Sequence, residues 1–414
     1  MHIAFVTPFN PRLLCRHLDA AWRSPMTVPA GRNSTPVANL IPALLRLGHQ
    51  VSVVAAERTV SQTVHVHGPN LNIIVVPHRP SLTLAMLDSF RVERRQLLGV
   101  IRDLKPDLVH GHWTQTGHAS AALDSGYPCV NTIHDAALTC AWLSRGYRPD
   151  RILFIIKQMA ETRTIARRSR YIIAVSPYVE AHFRRYFGYR GDARVIPNAV
   201  PDALLDGPGE PLRTFDAGLA TFASNGDWGR LKNIANLLRA FALVIRAQPS
   251  ARLILIGSGL GPGGPKQAWA QRHHVAQRVT FAGVLDYAAV QRTLKNEVDI
   301  LVHPSRTEAC SMAIAEALAL GIPVIAGPVG GIPWMTKQGA CGCLVDIEDP
   351  KAIAAAMLRL ANDADLRRML AEAGVAWAGQ CFKADRVAQQ HIEYYQHALD
   401  QYQESHTSFK RIIS

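Results

Sequence analysis

HPSRTEACSMAIAEALALGIPVIAGPVGGIPW, residues 303–334, decides how the rest of the chain is read. It follows VDILV (298–302), an apolar run with the length and β-branched content of a buried strand. Past Pro304 and Glu308, good helix formers run from Met312 to Leu320. Ser311 stands where an N-cap is expected, and Gly321 and Pro323 stop the helix. A second strand, IPVIA, ends in GPVGG, whose glycines let backbone approach a ligand closely. The spacing therefore predicts a strand–loop–helix–strand unit, the building block of a parallel sheet.

Two carboxylates punctuate that unit, Glu308 before the helix and Glu316 inside it. Eight helical residues span roughly 12 Å at about 1.5 Å each. Two acceptors so far apart suit two hydroxyl-bearing groups better than one metal ion. Between them lies a helix N-terminus with unpaired N–H groups and the positive end of a dipole, which favours phosphate. The chemistry this points to is a polyol joined to a phosphate.

Glu308-x7-Glu316 within PS-x-x-E…E-A-L-A-x-G-I-P-V-I-A…G-G resembles the donor-site signature of the family 4 retaining glycosyltransferases, glycosyl transferases group 1. The resemblance covers nearly the whole chain. It implies an α/β chain of GT-B architecture, two Rossmann-like doubly wound domains facing a central cleft. The expected boundaries are an acceptor-binding domain at 1–200, a linker at 201–216, a nucleotide-sugar donor domain at 217–380, and a C-terminal helix at 381–414 packing back on the first domain. The linker has its own signature: PDALLDGPGEPLRTFD holds three prolines, two glycines and four acids with no periodicity.

By that resemblance Glu308 holds hydroxyls of the transferred sugar and Glu316 those of the ribose. Ala309, Cys310, Ser311 and Met312 present backbone N–H groups to sugar and phosphate. Lys232, in the loop NGDWGRLKN, matches a lysine that clamps the donor diphosphate. The usual arginine position holds Asp227, so Arg230 is the substitute candidate. Ala309 replaces the usual glycine after the first glutamate, and Trp334 stands where a further glutamate is common. The implied reaction is a hexosyl transfer by front-face displacement. The leaving phosphate helps deprotonate the acceptor, so neither a protein nucleophile, a metal nor a cofactor is expected, and the nucleotide sugar is a co-substrate.

The first half reads as a βαβ opening: strand 3–7, a loop at 8–34 rich in proline, a helix at 36–47 and strand 51–55. Of the family's glycine pair in that loop only Gly31 is present, the candidate for the phosphate and acceptor loop. Strands at 71–77, 107–113 and 128–135 follow, with a helix around 82–103. His134 ends the strand PCVNTIHD, where ligand crevices form, and matches a family histidine near the sugar and the reacting diphosphate. His110 and His112 also end a strand but read as structural. GSGLGPGG (257–264) superficially resembles a dinucleotide loop, but Pro262 and Pro265 are not expected to open a phosphate-binding helix.

Charge is unevenly placed. Of the net +13, residues 1–200 carry 24 Lys/Arg against 12 Asp/Glu, or +12, and residues 201–414 carry 21 against 20, or +1. A basic first half suits an anionic membrane face or a phosphate-bearing acceptor, such as a lipid-linked or polysaccharide glycan, as well as it suits a plainly solvated surface. No feature suggests nucleic acid. Seven scattered cysteines without a CxxC fit reduced thiols. MHIAFVTPF lacks a basic leader region, so a cytoplasmic protein is expected, peripheral to the inner membrane face if the basic half serves that purpose. Three other readings stay open: a catalytically weak GT-B protein that binds nucleotide sugar or a partner, a related GT-B sugar phosphorylase or epimerase, and a nicotinamide enzyme resting on GSGLG.

Overall fold

A computed structural model describes residues 1–413 except 25–27, 29–30, 32–33, 82–83, 86–87, 115, 137–138, 140–148, 206–218 and 228. Two compact units emerge: residues 1–199 with 384–414, apart from 142–144, and residues 200–383. From 206 onward the expected linker lies outside the described residues.

In the first unit the chain runs β1 (His2–Val6), α1 (Thr35–Arg46), β2 (Gln50–Glu57), β3 (Val64–Gly68), β4 (Leu71–Pro77), α2 (Arg91–Leu104), β5 (Leu108–His112), α3 (His118–Asp124), β6 (Cys129–Ile133), α4 (Pro149–Arg168), β7 (Tyr171–Ala174), α5 (Pro177–Phe187) and β8 (Asp192–Val195). The sheet order is β3-β4-β2-β1-β5-β6-β7-β8. All neighbours pair in parallel except β3, an antiparallel edge strand on β4. That edge is invisible to a search for apolar runs, because VHVHG buries only Val66. Central strands such as β1 are apolar on both faces, as helices on both sides require. Along α1, Val37, Leu40, Ile41 and Leu44 form the buried stripe, and Tyr394 and Tyr395 from the last helix are buried in the same core.

The second unit continues with β9 (Thr221–Asn225), α6 (Ile234–Ala247), β10 (Arg252–Ile256), α7 (Pro265–Arg272), β11 (Val279–Gly283), α8 (Tyr287–Glu297), β12 (Ile300–His303), α9 (Met312–Ala319), β13 (Val324–Ala326), α10 (Ile332–Met335), β14 (Cys343–Leu344), α11 (Pro350–Asn362) and α12 (Ala364–Cys381). Its six strands, β11-β10-β9-β12-β13-β14, are parallel throughout. The last helix, α13 (Ala384–Ile413), returns to the first unit. Pro265 opens α7 at the first position, where its missing N–H costs nothing.

Both sheets have a switch point. In the first unit β1 leads away to β2 on one side while its neighbour β5 leads to β6 on the other. In the second, β9 leads to β10 and its neighbour β12 to β13 in the opposite direction. Loops that diverge in this way leave a crevice at the carboxyl ends of the two strands.

Candidate active site

At the second unit's switch point the loop after β9 carries Lys232 and the loop after β12 carries Glu308. The two meet. Lys232 Nζ donates to Glu308 Oε1 at 2.5 Å, and His303 Nε2, from the last residue of β12, donates to the same oxygen at 2.8 Å. No described residue bonds Oε2, and the Glu308 side chain keeps 13% of its exposure. Burial pushes this carboxyl up, but the Lys232 ammonium and His303 outweigh it and hold it well below the usual carboxylate range. Glu308 is thus an anion with one oxygen committed and one able to accept from a ligand.

Backbone fixes its position. Gly331 N–H donates to the Glu308 carbonyl at 2.7 Å. Gly330 sits at φ +59°, and a Cβ there would stand 2.2 Å from that carbonyl oxygen. The glycine pair is therefore needed for a close approach of chain to chain. A strap holds the lysine loop as well: Arg306 Nη1 donates to the Arg230 carbonyl at 2.5 Å, Arg306 N–H to Leu231 O at 2.7 Å, and Arg306 Nε to Glu348 at 2.6 Å.

Ser311 caps α9, accepting from Ile314 N at 3.5 Å. Its own N–H, expected to serve a ligand oxygen, is instead donated to Met335 Sδ at 3.1 Å. Cys310 is buried, while Ala309 and Met312 are partly accessible at the start of the helix. One turn in, Glu316 is 2% exposed and accepts from Tyr287 Oη at 2.7 Å. Burial, only partly offset by that hydrogen bond, raises its pKa to about 7. The two glutamates therefore differ in kind, one held ionised by the Lys232 ammonium and a His303 hydrogen bond and the other poised to titrate near neutrality.

Asp227 accepts from Gly229 N–H at 2.7 Å, closing an Asx turn in the lysine loop. Arg230 is exposed, and no described residue bonds its guanidinium. Trp334, in place of the common glutamate, stacks edge-on against Phe382 with centroids 5.9 Å apart.

In the first unit His134 is joined to the two histidines read as structural. Its Nε2 lies 2.7 Å from His112 Nδ1, and Trp113 stacks on its ring at 4.7 Å. His110 Nε2 bonds Thr132 Oγ1 and its Nδ1 bonds Tyr395 Oη, each at 2.6 Å. Burial, then the nearby His391, lowers His134 to about 3, so the imidazole is neutral at ordinary pH. Gly31 packs against its own chain: a Cβ would fall 2.0 Å from Phe9 O. That contact explains the glycine without a ligand.

His303, Tyr287 and Arg306 are the site residues that sequence reasoning missed. His303 reads as a strand terminus, and the other two lie far along the chain from their partners. HPS-x-x-E was the one available signal, since it places a histidine five residues before the glutamate.

Comparison with known proteins follows the same division. The family model Glycosyltransferase Family 4 matches residues 34–204, and Glycosyl transferases group 1 matches residues 215–377. A D-inositol 3-phosphate glycosyltransferase of Segniliparus rotundus is 28% identical, over 90% of this chain and 86% of its own. Among solved structures, sucrose-phosphate synthase from Thermosynechococcus elongatus has a TM-score of 0.78 at 21% identity, over 97% of this chain and 100% of that one. Anabaena HepE in complex with UDP and glucose has a TM-score of 0.67 at 18% identity, over 96% and 100%.

Proposed function

The chain belongs to the family 4 glycosyltransferases, and on that premise we propose that it moves a sugar from a nucleoside diphosphate to an acceptor hydroxyl with retention and without a metal. The observation that carries this reading is the split use of Glu308. Oε1 accepts from Lys232 and His303, while Oε2 is open to a sugar hydroxyl. Lys232 then has a second task. As the bond between the anomeric carbon and the phosphate oxygen breaks, negative charge grows on the diphosphate, and a cation already held in place by Glu308 stabilises that charge. The acceptor oxygen bonds to the anomeric carbon on the face the phosphate leaves, and its proton goes to the phosphate.

Glu316 takes the ribose hydroxyls, with Tyr287 aligning the carboxylate. Ala309, Cys310 and Met312 N–H groups at the start of α9 face sugar and phosphate, and Arg230 reinforces the clamp from its exposed place in the lysine loop. Uracil is the first base to test, because HepE carries UDP and glucose in its complex.

A lipid-linked or polysaccharide glycan is the acceptor class that matches the basic first unit. There Arg163, Arg167, Arg168 and Arg170 are all exposed, which also suits a cytoplasmic chain resting on the anionic inner face of a membrane. No helix among the described residues is long and apolar enough to cross a membrane.

The experiment is thermal unfolding against a panel of nucleoside diphosphates and nucleotide sugars, repeated on Glu316→Ala. A ligand at 100 times its Kd adds about 2.7 kcal/mol. One nucleotide series that stabilises the wild type and not the variant supports the reading; no stabilisation by any of them refutes it.

A further inference from the structure

His112 is 2% exposed, and its two ring nitrogens have different fates. Nδ1 is hydrogen-bonded to His134 Nε2 at 2.7 Å, whereas Nε2 is buried and no group among the described residues pairs with it. The ring itself is held hard in place. It stacks on Phe5 at 5.6 Å and lies 4.1 Å from His110, which Thr132 and Tyr395 anchor from both sides. His112, Thr132, His134 and His391 line one small cavity of the first unit. The proton between His112 and His134 fixes the tautomers of both rings.

That proton has two possible owners. If it sits on His134 Nε2, His112 must carry its own proton on Nε2, and a buried N–H is left without a protein acceptor. If it sits on His112 Nδ1, only a bare lone pair is left there. Orphaned buried donors are rarer in proteins than under-satisfied acceptors, so the second arrangement wins. His134 Nε2 then accepts, and its proton is on Nδ1.

We propose that His112 is a positioning residue that locks His134 in the Nδ1–H form, so that His134 meets a substrate oxygen as a neutral hydrogen-bond donor and not as a base. This rests on the transferase reading above only for the identity of the oxygen; the tautomer itself does not. Burial that keeps His134 neutral agrees with the role, since a neutral donor orients an oxygen without adding a charge.

Side-chain 15N NMR of the full chain labelled at histidine reads the tautomer directly, with His134 assigned from the signal lost in His134→Gln. The expected result is a proton on His134 Nδ1 in the wild type and a mixture of tautomers in His112→Phe, which keeps a ring in the stack. His112→Asn places an amide near the position of Nδ1 and restores the wild-type form; it also serves if the Phe variant does not fold. With UDP-glucose as probe, His112→Phe lowers kcat/KM by roughly 10- to 100-fold, His112→Asn recovers most of it, and the Kd for UDP alone is unchanged. A proton on His134 Nε2 in the wild type, or a tautomer indifferent to His112→Phe, overturns the proposal. Failure of UDP to bind any of these proteins, with the tautomer as stated, counts against the transferase reading and leaves this one standing.

Discussion

Replacing Lys232 with Met removes the ammonium 2.5 Å from Glu308 and leaves a carboxylate that keeps 13% of its exposure with His303 as its remaining partner. Breaking a buried ion pair by deleting one partner costs about 3–5 kcal/mol. Residual exposure and the His303 bond reduce that here to about 2 kcal/mol, which for a unit of this size lowers Tm by roughly 4–8 °C. The sign with pH follows from the depressed pKa of Glu308. Its stabilisation is present above the ordinary carboxylate range, near 4.3, and is lost as pH falls through the lower folded value. Without the ammonium, burial dominates and the carboxyl titrates high. The wild-type advantage is therefore largest at neutral pH and shrinks toward pH 4. Thermal unfolding of both proteins at pH 7, 5.5 and 4 measures it. A variant as stable as the wild type at pH 7, or a difference that ignores pH, would refute the pairing.

Glu316 carries the opposite sign. With its pKa raised to about 7, wild-type stability falls as pH rises from about 4.3 to 7, by up to about 1.4 kcal/mol per pH unit. In Glu316→Gln that slope disappears, as denaturant midpoints at pH 5 and pH 8 will show. Gly330→Ala forces a Cβ toward the Glu308 carbonyl at positive φ, costing about 1–2 kcal/mol for the left-handed backbone alone and more for the contact. Because the shift moves Glu308 itself, turnover is expected to fall further, roughly 100-fold, as measured by initial rates beside Tm. Chelation should leave the rate unchanged: EDTA-treated enzyme turns over nucleotide sugar at the untreated rate, whereas loss with EDTA and recovery with Mg²⁺ would contradict metal independence.

Much of the second unit was legible in the sequence because its decisive relations are local. Strand, cap, helix and glycine loop follow one another from 298 to 331, and each obeys a period or a capping rule readable from a few residues. Glu308 and Glu316 could be singled out on that basis. Their environments could not. Arg306 and Glu348 are 42 residues apart, and Tyr287 lies 29 residues before Glu316. Only the parallel sheet, with its switch point between β9 and β12, brings such partners together. The first unit was harder for the same reason. His110 and His112 share one face of β5 through the two-residue period, but their link to His134 crosses to β6 and their support comes from Tyr395 on the last helix. The 8–34 loop hides its packing differently: Gly31 approaches Phe9 closely, a contact no local pattern encodes.

The stereochemistry of the first-formed sugar tests the central claim most directly. Donor hydrolysis by the wild-type enzyme can be followed by 1H NMR before mutarotation, using the α-linked nucleotide sugar that stabilises the chain most. The account predicts that the α-anomer appears first and that Glu308→Gln suppresses its release. First appearance of the β-anomer, or a rate indifferent to Glu308, would contradict it.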